Sequence, residues 1–292
     1  MKIILFSRAQ IAHTPEEIRQ LFDAIQLFGF DYAVNEEFAP VVRQTAGIEL
    51  PPERVYGRHI GKQPAETVMV CYGGDGTLLE GVHRLCGAPV PVMGINAGHL
   101  GFLTSAPSAG LNLIFDDIAA GRITTEPRSL LRIEGDFAER PDSTLALNEF
   151  TVQRHGAGMI SVETYVDDQM VATYHGDGVI VSTPTGSTAY SLSAGGPVVA
   201  PTCRCLVISP LAPHNLTMRP VVIPDSGVIS LRVNARRSDA FVTLDDRTHP
   251  ISHGAAFTVR RAEQQIFLAV PHNISFYDTL RNKMMWGIDI RS

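Results

Sequence analysis

An α/β domain followed by an antiparallel β domain is the fold class this sequence predicts, and three observations predict it. Up to Pro127, short apolar runs alternate with helix-periodic segments, the order of a parallel sheet covered by helices. Beyond Pro127, short alternating runs bounded by turn residues take over, the order of an antiparallel sheet. A last helical pattern at 276–286 is free to return to the first domain. The predicted domains are 1–126, with 271–292 packing back on it, and 127–270.

The elements follow in order. Lys2–Phe6 reads as a short buried strand. Thr14-Pro15-Glu16-Glu17 is a helix start: Thr14 as N-cap, Pro15 in the first helical position and Glu17 three residues after the cap. Ile18, Leu21, Phe22 and Ile25 recur at helical spacing and Gly29 ends the run. Residues 36–64, with Pro40, Pro51, Pro52, Gly57, Gly61 and Pro64, read mostly as loop with a helical piece. A second buried strand spans 68–72. Thr77 and Glu80 then have capping-box form before the apolar face of Leu78, Leu79, Val82 and Leu85. A strand at 91–96 and a helix at 111–120, ended by Gly121, complete the domain. The β part predicts strands at 130–134, 145–152, 160–166, 169–174, 178–182, 205–209, 227–233, 240–244, 256–259 and 265–269, with a hairpin turn at Asp167-Asp168.

Composition narrows the function. The 292 residues are 45% hydrophobic and 18% charged, with a formal net charge of −6. No Lys/Arg-rich run occurs; Arg236-Arg237 and Arg260-Arg261 are isolated pairs, which argues against a nucleic-acid partner. No apolar stretch approaches a membrane span, and the apolar N-terminus is too short for a signal peptide. The four cysteines form no C-x-x-C pair and the ten histidines no H-E-x-x-H, so the expectation is a cytoplasmic protein without a structural metal.

Five segments carry chemistry. Gly73-Gly74-Asp75-Gly76-Thr77 follows a strand and opens a helix, where open α/β sheets bind ligands. Its glycines admit phosphate oxygens to the backbone, but Asp75 would repel them unless it meets a cation or accepts a proton. A phosphate loop that only binds offers amides and a lysine, so Asp75 points to chemistry beside a nucleotide. Taken alone the loop reads equally as a tight turn. The second segment, running from Gly94 to Thr104 through Asn96, Gly98 and Gly101, offers mobile backbone and one amide side chain; a plain interdomain connection fits as well. Asn148-Glu149 interrupts an apolar strand, so one of the two faces inward or into a cleft, unless the strand is a solvated edge. His175-Gly176-Asp177-Gly178 holds Asp177, a ribose or amide ligand, or else a common turn dipeptide. The fifth runs from Thr183 to Pro197 and sets seven hydroxyls, that of Tyr190 included, among glycines and small residues, suiting a polar, planar, diphosphate-bearing ligand better than a flexible linker.

Together these segments, with Ala212-Pro213-His214 and the 276–286 tail, closely resemble NAD kinase of the bacterial type over nearly the whole chain. The GGDGT loop alone is shared with diacylglycerol kinases; the hydroxyl-rich loop with Asn148-Glu149 makes the resemblance specific. It implies a Rossmann-like α/β domain followed by a β-sandwich domain. It also implies transfer of the γ-phosphoryl of ATP, or polyphosphate, to the adenosine ribose 2′-hydroxyl of NAD. Asp75 would be the general base and Mg²⁺ would ride on the nucleotide phosphates. Gly73, Gly74, Asp75, Gly76, Asn148, Glu149, His175, Asp177, Thr188, Ala189, Tyr190, Ser191, Leu192, Ser193 and Ala212 would line the nucleotide sites. His175 stands where many members carry Arg or Lys, and Arg247 where many carry Gln or Asn. The family implies homodimers or homotetramers. The alternatives are a lipid or sugar kinase sharing the loop, disfavoured by the lack of a basic amphipathic stretch, and a non-catalytic NAD sensor.

Overall fold

The computed structural model describes residues 1–96, 101–104, 106–107, 110–139, 141–235, 240–271 and 275–287. Gly98, the Arg236-Arg237 pair and the end of the C-terminal tail lie outside the described residues. The chain divides into two compact units, residues 1–127 with 266–292 and residues 128–265.

The first unit is a parallel sheet. β1 (Lys2–Phe6), β2 (Asp31–Asn35), β3 (Val55–Tyr56), β4 (Thr67–Tyr72) and β5 (Val92–Asn96) lie in the order β3-β2-β1-β4-β5, and a two-residue β6 (Ala106–Pro107) pairs with β5. Every residue of β4 is buried, as expected of a strand covered on both faces. The helices α1 (Pro15–Leu27), α2 (Ala39–Ala46), α3 (Asp75–Leu85) and α4 (Leu111–Ala119) flank it. Ile18, Leu21, Phe22 and Ile25 of α1 share one core with Ile3, Leu5, Val70 and Phe115. The Thr14 capping box forms: the Glu17 N–H donates to Thr14 Oγ1 (3.2 Å) and the Thr14 N–H to Glu17 Oε2 (2.7 Å).

Two expectations need correction here. The 36–64 stretch is more ordered than a loop: it holds α2 and β3, which follow the unread strand β2. Pro40 sits in the first turn of α2 and Gly47 ends it in a left-handed conformation, φ 72°. The second correction concerns α3. It starts at Asp75, with Gly74 as N-cap and no side-chain cap, so Thr77 and Glu80 form no capping box. The Gly74 carbonyl accepts the N–H groups of Thr77 (2.9 Å) and Leu78 (3.2 Å). Glu80 instead accepts from Arg8 Nε (2.7 Å) and Arg84 Nη2 (2.9 Å), charge-assisted bonds that outweigh a neutral cap.

The second unit is antiparallel. β7 (Ile123–Gly135) pairs with β8 (Leu145–Ala146). One sheet has the order β14-β13-β12-β9-β16-β17, where β9 is Glu149–Arg154, β12 Gly178–Ser182, β13 Cys205–Leu211, β14 Val221–Pro224, β16 Ala240–Leu244 and β17 Arg247–Ile251. The other set has β10 (Ile160–Val166) paired with β11 (Gln169–Gly176) and with β15 (Ile229–Asn234), and β15 with β18 (Ala256–Pro271). Phe150, Val179 and Ile208 from the first meet Val162, Leu231 and Val259 from the second in one core. Asp167 and Asp168, both at positive φ, make the turn between β10 and β11.

The predicted 145–152 strand is broken at Leu147–Asn148, and the two runs at 256–259 and 265–269 are one strand. Near its end, Leu268 of β18 pairs in parallel with Val92 of β5. The closing helix α6 (Phe276–Met284) belongs to the first unit, and its Lys283 ammonium lies 5.3 Å from the Phe102 ring centroid. Among the described residues no helix is long and apolar enough to cross a membrane.

Candidate active site

Asp75 stands at the carboxyl edge of the parallel sheet, three residues past the end of β4 and first in α3. Its carboxylate is held by the 101–104 segment. Oδ1 accepts the N–H of Leu103 (3.3 Å), the N–H of Thr104 (3.0 Å) and the Thr104 hydroxyl (2.9 Å). Oδ2 accepts only the Phe102 N–H (2.9 Å) among these donors. Thr104 Oγ1 in turn accepts the Gly101 N–H (3.0 Å), which closes the segment around the carboxylate. A Cβ on Gly101 would stand 1.7 Å from Asp75 Oδ1, so residue 101 has to be glycine for the segment to approach this closely. An ionised carboxylate offers about four lone-pair positions. Three donors crowd Oδ1, while Oδ2 keeps acceptor capacity for one more O–H, in a fixed direction.

In the second unit, Asn148 and Glu149 are both buried, at 7% exposure, although the strand pattern predicted one of them outside. The reason is the break before β9. Asp245, in the turn between β16 and β17 at φ 54°, captures three successive backbone donors: Leu147 N–H on Oδ2 (2.8 Å), and Asn148 (2.7 Å) and Glu149 (3.1 Å) N–H on Oδ1. Its own N–H donates to the Glu149 carbonyl (3.0 Å). The loop after β12 packs from the other side. Thr183 Oγ1 donates to the Leu147 carbonyl (2.6 Å), and a Cβ on Gly186 would lie 2.1 Å from the Asn148 carbonyl oxygen. Two buried polar atoms in this turn, Asn148 Oδ1 and Glu149 Oε2, have no hydrogen-bond partner among the described residues. Burial pushes the Glu149 carboxyl up to about 8; the nearby Asp245 charge adds to this, and the Tyr190 backbone N–H partly opposes it.

A cleft of about 340 Å³ in the same unit is lined by Gln153, Arg154, Asp177, Tyr190, Leu211 and Ala212, with His155 and Gly156. Asp177 lies between β11 and β12, where Arg154 grips it through Nε–Oδ1 (2.6 Å) and Nη2–Oδ2 (3.3 Å). Gln153 Nε2 donates to the Tyr190 hydroxyl (2.8 Å). Tyr190 opens α5 (Tyr190–Ser193), and Ala212 sits at φ 39°, just past β13.

Asp177, Tyr190 and Ala212 thus share one cleft, and Asn148 and Glu149 one turn. Other candidates stand apart. Ser191 is fully buried, with its hydroxyl 3.0 Å from that of Ser209. Ser187 and Thr188 spend their hydroxyls inside the loop, donating to the Pro184 (2.7 Å) and Thr185 (3.3 Å) carbonyls, whereas Thr183 spends its own on Leu147. Much of the hydroxyl run therefore shapes the loop. Ala189 and Leu192 are half-buried, and Ser193 and His175 are exposed and do not line the cleft. Arg247 donates to the carbonyls of Ser143 and Leu145, both at 2.6 Å. Sequence reading missed Asp245 and Arg154. The Asp245-Asp246 pair repeats the turn signal of Asp167-Asp168 and was the available clue to the first; nothing in the local pattern marks the second.

Two family models match the chain: the ATP-NAD kinase N-terminal domain over residues 42–123 and the ATP-NAD kinase C-terminal domain over residues 147–271. The NAD kinase of Flavobacterium psychrophilum is 34% identical over 295 residues, covering 100% of both chains. That of Cytophaga hutchinsonii is 35% identical over 276 residues, 94% of each. Among solved structures, an NAD kinase from Archaeoglobus fulgidus in complex with ATP superposes with a TM-score of 0.70 at 25% identity, covering 98% of each chain. Yeast NADH kinase complexed with NADH superposes with a TM-score of 0.84 at 22% identity over 100% of this chain and 89% of that one, a likeness of fold. The GGDGT loop alone would leave other kinases in play, but a match that runs from end to end at 34% identity does not: the chain belongs to the NAD kinase family.

Proposed function

We propose that this NAD kinase transfers the γ-phosphoryl of ATP, or of polyphosphate, to the 2′-hydroxyl of the adenosine ribose of NAD, with Asp75 as general base. The observation that carries this reading is the setting of Asp75. Four donors from the 101–104 segment fix a carboxylate at a strand end beside glycine backbone, and Oδ2 retains room for a hydroxyl. A positioned carboxylate is the recurrent acceptor for a hydroxyl proton in phosphoryl transfer. The Gly73, Gly74 and Gly76 backbone, at the uncapped start of α3, suits the donor phosphates. Asn148 Oδ1 and Glu149 Oε2 are buried polar atoms that a dinucleotide can answer, and the Asp177–Tyr190–Ala212 cleft supplies polar and aromatic surface for the rest of it.

The divalent ion enters with ATP as part of the substrate. The reading assigns the ion to phosphate oxygens, where it neutralises charge on the transferred group. Four free thiols suit the cytoplasm. The homodimer or homotetramer is part of the same reading and is checked by light scattering. The decisive experiment incubates the purified, folded protein with NAD, MgATP and a coupled NADP detector. NADP formation is expected; its absence overturns the reading.

Glu149 gives this function a pH signature. The folded state favours the protonated carboxyl, so it retains a proton that the unfolded chain releases near pH 4.5. This contribution to stability is complete below that value and is lost as pH rises towards about 8, by ~5 kcal/mol at its ceiling. Glu149→Gln is expected to flatten that slope in denaturant titrations. NAD affinity of the parent should weaken above about pH 8, as the proton that Oε2 donates is lost, while that of the glutamine variant stays level. Parallel pH profiles for the two proteins would refute the assignment.

A further inference from the structure

The GGDGT loop lacks the lysine that phosphate-binding loops commonly carry, and it adds a negative charge of its own. Beyond the divalent ion that ATP brings, a phosphate chain bound there is further stabilised by a cation supplied by the fold. The parallel sheet brings one to the same edge. β1 and β4 are adjacent, with Phe6 opposite Cys71, so the residues just past β1 lie beside the loop just past β4. Arg8 is the second residue past the end of β1. Its guanidinium lies over Gly76: a Cβ built there would be 3.1 Å from Nη1, 3.7 Å from Cζ and 3.8 Å from Nη2. Any side chain at 76 would press on that guanidinium.

Glu80, on the next turn of α3, holds Arg8 in place through Nε at 2.7 Å, with the two side chains 29% and 26% exposed. Arg84 shares Glu80 and is anchored in turn by Glu37 at 2.6 Å. Partial burial alone would raise the Glu80 carboxyl, but hydrogen bonds from Arg84 and Arg8 outweigh it and hold it below the usual range. Glu80 takes the Nε edge of the five-donor fork, and the guanidinium lies against the loop backbone at Gly76.

We propose that Arg8 is the cation of the phosphoryl-donor site: its Nη groups bind the phosphate chain of ATP against the Gly73–Thr77 backbone, and Glu80 is the positioning residue that holds it there. This rests on the kinase reading above. Asp75 then meets the acceptor hydroxyl while Arg8 meets the donor phosphates, which resolves a carboxylate placed inside a phosphate loop. An arginine fork engages phosphate oxygens in two-pronged fashion, whereas lysine acts as a point charge.

The test measures steady-state kinetics of the full chain and direct binding of MgATP and of inorganic tripolyphosphate by calorimetry. Arg8→Met is expected to raise KM for MgATP and weaken tripolyphosphate binding by about 10- to 100-fold, with KM for NAD within about twofold. Arg8→Lys should recover part of the loss. Glu80→Gln, which leaves the charge of Arg8 but loosens its tether, should raise KM for MgATP by less than Arg8→Met does. Unchanged MgATP and tripolyphosphate binding in Arg8→Met overturns the proposal while leaving the kinase reading intact. So does an equal loss for NAD and ATP accompanied by a lowered melting temperature, which would make Arg8 a structural ion-pair partner. Wild-type protein that makes no NADP fails the kinase reading instead.

Discussion

Asp75→Asn is expected to lower kcat by about a thousandfold, the scale of a lost general base, while NAD still binds within about threefold. The variant keeps the size of the side chain but removes the carboxylate that the kinase reading sets against the acceptor hydroxyl. Its carboxamide oxygen can replace Oδ1 and accept from Leu103 and Thr104. The amide nitrogen then faces the Phe102 N–H, donor against donor, where Oδ2 had accepted at 2.9 Å. That mismatch costs about 1–3 kcal/mol of local stability, so part of any rate loss could come from a displaced 101–104 segment. Gly101→Ala separates the two effects. It leaves the carboxylate chemically intact but drives a methyl to within 1.7 Å of Oδ1, which must move Asp75 or the segment. A base acting from a fixed position loses activity in both variants; a carboxylate that only organises the segment loses activity in Gly101→Ala and keeps most of it in Asp75→Asn. Turnover by Asp75→Asn at the parent rate would remove Asp75 from the base role.

The fold class was legible because the two halves obey different periodicities. Continuous apolar runs such as residues 68–72 announce strands covered on both faces, and the box at Thr14–Glu17 announces α1; both form. What escaped was decided by tertiary partners. Asp31–Asn35 carries too little pattern to read as a strand, yet β1 pairs with it residue by residue from Lys2 to Leu5. The charged and polar stretch from Arg260 to Gln264 made β18 look like two strands, although Arg132 on β7 donates to Gln264 at 2.8 Å and the strand runs on. The capping box read at Thr77 failed because Glu80 had two arginines to satisfy, partners 72 and 4 residues away in sequence. The candidate site divides in the same way. Residue types with intrinsic chemical or conformational demands, Asp75 among glycines and Asn148-Glu149 in an apolar run, were visible. The groups that position them, the 101–104 amides and Asp245, act through backbone atoms and leave almost no trace in composition.

Asp245 is where that invisible positioning has its largest expected consequence. Its carboxylate is the partner of three consecutive backbone N–H groups at a strand break whose residues 148 and 149 are 7% exposed. Asp245→Ala strands those donors, and each unanswered buried donor costs about 1–3 kcal/mol, so a loss of about 3–5 kcal/mol is expected in denaturant titrations. Asp245→Asn is milder: its oxygen can keep the Asn148 and Glu149 N–H groups, while its amide nitrogen opposes only that of Leu147. In the asparagine variant KM for NAD should rise about tenfold or more, because Asn148 Oδ1 and Glu149 Oε2 lose their fixed direction, and KM for MgATP should change little. The same substitution removes a negative charge beside Glu149. Burial, the larger cause, remains, so the Glu149 carboxyl should titrate below its parent value of about 8 but still above an ordinary glutamate. The pH above which NAD affinity falls should move down with it. A parent-like KM for NAD in a folded Asp245→Asn protein would show that the clamp does not set the geometry of the turn.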